Sequence, residues 1–154
     1  MIAVLQRVFS AAVTADGIPA GKIGKGLYIL LGVTKEDTAE DARLLAEKIA
    51  KLRIFSDENG KMNLSVNDVD GEVLIVSNFT LSANYSHGNR PEYFGAAAPN
   101  VANELYEYFI ALMRSLVRNV ETGVFGADMT TELATCGPVT IIMDSQILAK
   151  KGKG

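Results

Sequence analysis

Residues 26–52 read GLYILLGVTKEDTAEDARLLAEKIAKL, and the change of pattern within this stretch decides the fold class. The first part, residues 27–33, is almost continuously apolar, which is typical of a strand buried on both faces. In the second part, apolar residues recur every three or four positions, as on one face of an amphipathic helix, at Ala42, Leu45, Ile49 and Leu52. Thr38, followed three residues later by Asp41, predicts a capping box that opens this helix. A buried strand followed by an amphipathic helix indicates a mixed α/β protein.

On the N-terminal side of this stretch the sequence is strand-like. Residues 2–8 and residues 11–15 form two mostly apolar runs, and the Asp16-Gly17 dipeptide that follows them is a strong signal for a hairpin turn. On the C-terminal side, residues 72–80 are apolar on both faces until they become polar at Ser77. We therefore expect a further buried strand that ends in a polar patch.

A second helix and two more strands are predicted in the last third of the chain. The helix is expected to follow Pro99-Asn100 and to stop at Gly123, with one apolar stripe formed by Leu105, Phe109, Leu112 and Leu116. Residues 128–135 and 139–144 are predicted as two separate strands, since Pro138 lies between them and proline cannot donate to a strand ladder.

This order of elements predicts a three-layer α/β/β single domain over residues 1–149, rich in strands and with its two main helices on one face. Two helices cannot cover both faces of so many strands. The sheet is therefore expected to fold on itself, or to be completed or packed across a homodimer. Residues 150–154 are expected to form a flexible, lysine-rich tail.

Composition and charge restrict the class of protein. With 154 residues, 48% of them apolar, the chain fits one domain, and its net charge of −3 argues against a strongly basic nucleic-acid binder. The charge is unevenly distributed, because residues 36–72 carry ten acidic and five basic side chains, whereas the rest carries eight acidic and ten basic ones. The acidic segment is interpreted as containing a solvated helix face. The rest of the chain, with more basic than acidic side chains, can still face a phosphate group of a ligand.

Single residues exclude several kinds of site. The one cysteine, Cys136, cannot form an internal disulfide, which fits a reducing compartment, and the one histidine, His87, leaves little from which to build a zinc site. No metal and no cofactor are therefore expected. The opening residues MIAVLQRVFS lack the charged leader of a signal peptide, and no apolar run approaches the ~18–20 residues that span a bilayer. We expect a cytoplasmic protein without a membrane segment.

The usual catalytic arrangements are weakly represented. A Ser-His-acid triad would have to combine His87 with a nearby serine or threonine, without the Gly-x-Ser-x-Gly turn that presents such a nucleophile. A Cys136–His87 pair has no basic neighbour in the sequence that would favour a thiolate. Two unusual segments remain, SNFTL at residues 77–81 followed by HGNRP at 87–91, and CGPVT at 136–140. The Gly-Pro dipeptide in the second segment, at residues 137–138, indicates a turn or a cis peptide bond.

Together these segments resemble the D-aminoacyl-tRNA deacylases, the chirality-proofreading hydrolases of translation. The resemblance covers nearly the whole chain and is carried by short motifs in the family's order: VLQRV at 4–8, LGV at 31–33, SNFTL at 77–81, GNRP at 88–91, TGVFGADM at 122–129 and GPVT at 137–140. The family usually has glutamine where this chain has Asn78, and asparagine where it has Thr135. These two departures bear on the substrate range rather than on the class of enzyme.

The resemblance implies hydrolysis of the ester bond of D-aminoacyl-tRNA, and of glycyl groups mischarged onto tRNA(Ala). It implies a homodimer in which a cis dipeptide, Gly137-Pro138, enters the partner's pocket in trans and rejects L-aminoacyl groups by steric clash with its carbonyl oxygens. Arg7 would hold that dipeptide in place, because its guanidinium offers a rigid fork of donors. A sister deacylase subfamily with a trans Gly-Pro bond and relaxed chirality is an alternative.

The resemblance also assigns the rest of the pocket. Ser77, Asn78, Phe79 and Thr80 would line the cleft, with backbone N–H groups near Phe79 and Thr80 as candidate donors to the oxyanion. Two further residues, Phe125 and Met129, would wall the terminal adenosine of the aminoacylated 3′ end. Thr80 is the obvious nucleophile, but the sequence offers no base beside it. The implied mechanism is instead RNA-assisted, with the 2′-hydroxyl of the terminal ribose helping to activate water.

Two functions of other classes compete with this one. A non-catalytic module could use the polar patch to bind a peptide or a small ligand, and a generic esterase could use His87. Basic residues are candidates for contact with tRNA, namely Arg90, Lys150, Lys151 and Lys153.

Overall fold

The computed structural model describes residues 1–151 and confirms the mixed α/β class. The strands are β1 (Ile2–Ala15), β2 (Ile18–Ile23), β3 (Gly26–Gly32), β4 (Phe55–Ser56), β5 (Met62–Leu64), β6 (Glu72–Ser77), β7 (Val120–Thr122) and β8 (Met129–Asp144). The helices are α1 (Ala39–Lys51), α2 (Pro99–Leu116) and α3 (Ser145–Lys151), with a short 3₁₀ helix at Phe79–Ser82.

Strand β1 is the long central strand of the main sheet. The prediction of two separate strand runs over residues 2–15 was wrong, because β1 continues through Phe9 and Ser10 without a break. The hairpin at Asp16-Gly17 is confirmed: both residues have positive φ, +48° and +80°, and β1 pairs antiparallel with β2 across them.

The main sheet has the strand order β2-β1-β3-β6-β7, with β8 on the other edge of β1. The β3–β6 and β6–β7 pairs are parallel, since α1 and α2 lie in the connections between them. The sheet folds on itself, as the small number of helices predicts, and β2 packs against β6 and β7. This gives the α/β/β layers expected from the sequence.

Two apolar cores on opposite faces of the sheet explain why β3 and β6 are apolar on both sides. Leu27, Ile29 and Leu31 of β3 pack in the core beneath the helices. Tyr28, between them, packs in the inner core enclosed by the folded sheet, together with Val8 and Leu74. Alternate residues of one strand therefore belong to different cores, as the two-residue period of a strand requires.

The helices follow the sequence patterns closely at their starts and less closely at their ends. The capping box of Thr38 and Asp41 is present, and α2 begins at Pro99. The predicted stop at Gly123 was wrong, because α2 ends at Leu116 and residues 120–122 form β7 beside β6. The fully buried stripe of α2 is also rotated relative to the predicted one, since Leu105, Leu112 and Leu116 are only half-buried. The buried positions are Ala102, Tyr106, Phe109, Ile110 and Met113.

Strand β8 was wrongly predicted as two strands, and its register with β1 gives the reason. Gln6 pairs with Thr140 and Val8 with Thr135, so that one residue of β1, Arg7, lies opposite the four residues 136–139 of β8. The extra residues bulge out of the ladder, and pairing resumes on either side. Because β8 pairs only with β1 among the described strands, Pro138 deprives no neighbouring strand of a donor.

The last described element is α3, which was not predicted. Lys150 and Lys151 lie in this helix, and Lys153 lies outside the described residues. Among residues 1–151, no helix has the length and apolar character needed to cross a membrane.

The amino group of Met1 is buried where β1, α1 and α3 meet. It donates to a carboxylate oxygen of Asp37 and, at 2.8 Å, to the hydroxyl oxygen of Ser145, which in turn donates to Asp41 at 2.7 Å. Burial by itself raises the pKa of Asp41, but hydrogen bonds from Ser145 and Thr38 outweigh it and lower the pKa below its ordinary value. A carboxyl group with a lowered pKa contributes its full stabilisation above the unfolded pKa and loses it as the pH falls. The cluster is therefore expected to weaken in acid.

We expect the Asp37→Asn substitution to lower the free energy of unfolding by about 3–5 kcal/mol at pH 7, because it removes the carboxylate that pairs directly with the buried ammonium of Met1. Denaturant titration measures this. The matched control is Asp70→Asn, which removes an ion pair with Arg118 whose two side chains are 81% exposed and 3.9 Å apart. This control is expected to cost less than about 1 kcal/mol. Equal effects of the two substitutions would show that the buried ion pair contributes no more to the free energy of unfolding than the exposed one.

Candidate functional site

A cavity of about 750 Å³ lies beyond the C-terminal ends of β3 and β6 and is the candidate site. Parallel strands with helical connections commonly place ligand sites at this end. The cavity brings together five of the nine residues that the sequence predicts for the site: Ser77, Asn78, Phe79, Phe125 and Met129. Thr80 lies next to Phe79 but is exposed and does not line the cavity.

Gly32 lets the polar segment lie against the end of β3. A Cβ atom at this position would lie 2.9 Å from Cβ of Leu81 and 3.1 Å from the carbonyl oxygen of Asn78, both too close for a side chain. The N–H of Asn78 donates to the carbonyl oxygen of Leu31 at 2.9 Å. The glycine of the LGV motif and the SNFTL motif are therefore parts of one packing arrangement.

The side chain of Asn78 caps the 3₁₀ helix that follows it. Its Oδ1 accepts from the N–H of Thr80 at 3.2 Å and from the Thr80 hydroxyl at 2.5 Å. The hydroxyl of Thr80 thus donates to an amide oxygen, and no described residue accepts the proton as a base would. This geometry does not activate Thr80 as a nucleophile.

The backbone N–H of Phe79, a residue that lines the cavity, is an available donor. The sequence suggests donors at both Phe79 and Thr80, but the Thr80 N–H is already engaged with Asn78. Among the described residues, none accepts a hydrogen bond from the N–H of Phe79. The N–H of Phe79 is therefore available to donate to a ligand oxygen.

The far end of the cavity is aromatic. Phe125 and Met129 line the cavity, and Tyr106 packs obliquely on Phe125 with ring centroids 5.8 Å apart. Sequence reasoning missed Tyr106 and Tyr28, because both read as ordinary core positions of α2 and β3. Burial raises the pKa of both phenols, and for Tyr28 a hydrogen bond with Thr131 acts against the increase.

Gly137 and Pro138 do not line this cavity. They lie exposed in the bulge of β8, and the peptide bond between them is cis. Arg7 lies beneath them: its Nε donates to the carbonyl oxygen of Cys136 at 3.2 Å, and its Nη1 donates to that of Ile54 at 2.8 Å. Arg7 and the dipeptide therefore form a second group of residues, separate from the cavity within one chain.

The alternative catalytic residues are not assembled. His87 is exposed in a loop, and the hydroxyl of Thr80 is hydrogen-bonded to Asn78 rather than to His87. Cys136 shares a small cavity of about 140 Å³ with Arg7 and Lys25, basic neighbours that its place in the sequence does not reveal. His87 is not among the residues that line that cavity.

Other predicted contacts lie on the surface. Arg90 is exposed in the same loop as His87, and Lys150 is exposed on α3. Within residues 1–151, no three His, Cys, Asp or Glu side chains are grouped so as to hold a metal ion.

Comparisons with known proteins agree in their result. The family model of D-Tyr-tRNA(Tyr) deacylase matches residues 4–144. A D-aminoacyl-tRNA deacylase of Anaeromyxobacter dehalogenans is 54% identical over 148 residues, covering 96% of this chain and 99% of that protein. One from Deinococcus radiodurans is 54% identical over 144 residues, covering 94% and 99%.

Two solved structures share the fold. One, described as c-Myc DNA Unwinding Element Binding Protein, has a TM-score of 0.88 and 39% identity, covering 94% of this chain and 98% of that one. The other, described as a probable eukaryotic D-amino acid tRNA deacylase, has a TM-score of 0.82 over 92% of this chain and 97% of that one. At 15% identity this second likeness concerns the fold alone.

Proposed function

The chain belongs to the D-Tyr-tRNA(Tyr) deacylase family, and from this premise we propose that it hydrolyses the ester bond of D-aminoacyl-tRNA and releases the free D-amino acid and the tRNA. The family consists of hydrolases that act on this ester. The observation that carries the proposal is the cavity, whose lining includes Phe79, with an unpaired backbone N–H, and an aromatic wall at Phe125 and Tyr106. A carbonyl oxygen fits the first and a terminal adenine fits the second.

Selection against L-aminoacyl groups is assigned to Gly137 and Pro138, acting in trans. The dipeptide is exposed and stands apart from the cavity of its own chain, so it can reach a cavity only in a partner. Strand β8, which carries it, has one unpaired edge among the described strands and exposes 74% of Ile142. An unpaired edge with exposed apolar side chains is suited to pairing with a second copy. We therefore propose a homodimer formed along this region.

Rigid backbone rejects a wrong substituent more strongly than a soft pocket. An apolar pocket discriminates by roughly 1–3 kcal/mol, because side chains move aside. The carbonyl oxygens of the bulge cannot move aside in this way, because Arg7 holds the carbonyl group of Cys136 by a hydrogen bond. D-aminoacyl and glycyl groups carry no side chain on the side of these oxygens, which is why glycyl-tRNA is included among the proposed substrates.

Water is the proposed nucleophile, assisted by the 2′-hydroxyl of the terminal ribose. The described residues of the cavity include no histidine and no carboxylate, so the chain itself supplies no evident base. Its contribution is to position the ester and to stabilise the oxyanion through the N–H of Phe79. The side chain of Asn78 is shorter than the glutamine usual in the family, and its oxygen accepts hydrogen bonds from Thr80. It therefore leaves space beside the ester and influences which amino acids fit.

We expect Thr80→Ala to reduce single-turnover hydrolysis of D-aminoacyl-tRNA by no more than about tenfold, since the Thr80 hydroxyl serves to order the cap. Rapid-quench measurement with saturating enzyme isolates the chemical step. His87→Ala is the companion variant, because a generic esterase would need His87. A loss on the order of 10⁴-fold or more in either variant would identify a true nucleophile or base and contradict the RNA-assisted mechanism.

The function itself is tested by release of the amino acid from D-Tyr-tRNA and L-Tyr-tRNA under identical conditions. A D-specific deacylase hydrolyses the first and spares the second. A binding module hydrolyses neither, and the relaxed sister activity hydrolyses both.

A further inference from the structure

Residues 84–94, here called the aromatic loop, connect the 3₁₀ helix of the site to α2 and expose two large aromatic side chains. Tyr85 is 78% and Phe94 77% exposed, the highest values among the large hydrophobic side chains of the described residues. Aromatic rings exposed to this degree gain nothing from the protein's own core. A binding role gives them a reason to be there.

The aromatic loop is held in a defined conformation. Asn84 and Glu92 exchange two backbone hydrogen bonds of 2.8 and 2.9 Å across its base. The Asn84 side-chain amide donates to Glu92 at 2.7 Å, and the other carboxylate oxygen of Glu92 accepts from the N–H of Phe94, also at 2.7 Å. Tyr85 directly follows Asn84, and the N–H of Phe94 is bonded to Glu92, so both aromatic residues are tied to this hydrogen-bonded pair. This lowers the entropy cost of binding a ligand through them.

The aromatic loop presents one exposed positive charge to a ligand, that of Arg90. Residues 73–91 contain no acidic side chain, and Arg90 is exposed within them. Glu92 is the one acid of the loop, and hydrogen bonds from Phe94 and Asn84 lower the pKa of its carboxyl group. Glu92 is therefore ionised at neutral pH and balances Arg90 in net charge, but both of its carboxylate oxygens are held by hydrogen bonds at the base of the loop.

The aromatic loop is continuous with the cavity. The ring of Tyr93 meets Phe79, a lining residue, edge to face with centroids 5.2 Å apart. Beyond Phe94 the chain passes directly to Ala96 and Ala97, which also line the cavity. A ligand that fills the cavity and continues outward on this side meets the loop first.

We propose that the aromatic loop binds the unpaired nucleotides that precede the terminal adenosine of the tRNA, with Tyr85 and Phe94 as stacking surfaces and Arg90 facing the phosphates. This proposal rests on the proposed function, since it needs the terminal adenosine in the cavity. Single-stranded nucleic acid is bound by this combination of aromatic surfaces and positive charge. It also explains how a chain with a net charge of −3 holds RNA: it needs only a short single strand.

The test compares two substrates with the same ester. One is D-Tyr-tRNA, and the other is 3′-O-D-tyrosyl-adenosine, which lacks the preceding nucleotides. Tyr85→Ala and Phe94→Ala are each expected to raise KM for the tRNA about tenfold, as loss of a stacked base predicts, and to leave kinetics with the adenosine ester within about twofold. Tyr85→Trp, which keeps a stacking surface, is expected to restore the KM. The matched control is Tyr108→Ala, another exposed aromatic, on α2.

Each other outcome contradicts the proposal. Equal impairment with both substrates would mean that the loop shapes the cavity, and no effect with either would mean that it binds nothing. Dissociation of a dimer in Tyr85→Ala, seen by sedimentation, would identify a subunit contact instead.

Binding of a short single-stranded RNA ending in CCA is measured in parallel. If the unaltered protein hydrolyses neither ester, the proposed function fails, while weakened RNA binding in the variants would still support the loop assignment.

Discussion

Replacement of the terminal 2′-hydroxyl of D-aminoacyl-tRNA by hydrogen is expected to reduce the rate of hydrolysis by 10³-fold or more. General acid–base assistance contributes typically about 10²–10⁴-fold, and the cavity supplies no histidine or carboxylate that could replace it. Single-turnover measurement with tRNA ending in 2′-deoxyadenosine, aminoacylated at the 3′ position, isolates this effect.

A binding control is needed for this substrate. The deoxy substrate should compete with ordinary D-aminoacyl-tRNA at a similar concentration, since the aromatic wall at Phe125 and Tyr106 contacts the base rather than the ribose hydroxyl in the proposed arrangement. Undiminished hydrolysis of the deoxy substrate would overturn the RNA-assisted mechanism. It would direct attention back to Thr80 and to residues not yet assigned.

Gly137→Ala is expected to lower kcat/KM for D-aminoacyl-tRNA about 100-fold and to reduce the preference for D over L. Gly137 has φ of +130°, and a Cβ atom would lie 2.7 Å from the backbone nitrogen of Val139 and 2.9 Å from its Cγ2. The dipeptide must therefore move, and a displacement of about 1 Å at a reactive site costs on the order of 10²-fold. The control is Gly60→Ala, at φ +73° with open space around it, which places an L side chain at a positive φ without a steric clash.

Arg7→Lys tests the same assignment without forcing the backbone. Lysine offers a point charge in place of a fork of donors, and it cannot hold the carbonyls of Cys136 and Ile54 together. We expect a smaller loss of activity and a clear fall in the D/L ratio. Wild-type activity and selectivity in both Gly137→Ala and Arg7→Lys would remove the dipeptide from the mechanism.

Action in trans can be tested by mixing defective subunits. A heterodimer of a Gly137→Ala chain and a Phe125→Asp chain contains one intact cavity and one intact dipeptide, on different subunits. If the dipeptide acts in trans, these two meet in one site and about half of the wild-type activity returns. If it acts in cis, neither subunit has both an intact cavity and an intact dipeptide, and activity stays at the level of the separate variants. The same result is expected if the protein is active as a monomer.

Local patterns predicted the parts of the fold that depend on neighbouring residues. The capping box at Thr38, the turn at Asp16-Gly17 and the doubly buried strand β3 are set by interactions within a few residues, so their signals are complete in the sequence. The polar segment at residues 77–80 was also found, because polar residues directly after a buried strand are conspicuous.

Features set by distant partners could not be predicted in this way. The bulge of β8 depends on its register with β1, which places Arg7 opposite residues 136–139. The end of α2 depends on β7 joining β6, and the rotation of its buried stripe depends on its packing against α1 and β7. Tyr106 was missed for the same reason, since only packing against Phe125 turns a core position into part of the cavity. The family resemblance proposes the site residues, and the structure shows which of them lie together.

The most direct test of the whole account is amino acid release from D-Tyr-tRNA and L-Tyr-tRNA, measured side by side with the purified chain. We expect rapid release from the D-substrate and, at the same enzyme concentration, release from the L-substrate slower by at least about 10³-fold, beyond what an apolar pocket achieves. Equal release from both, or release from neither, would contradict it.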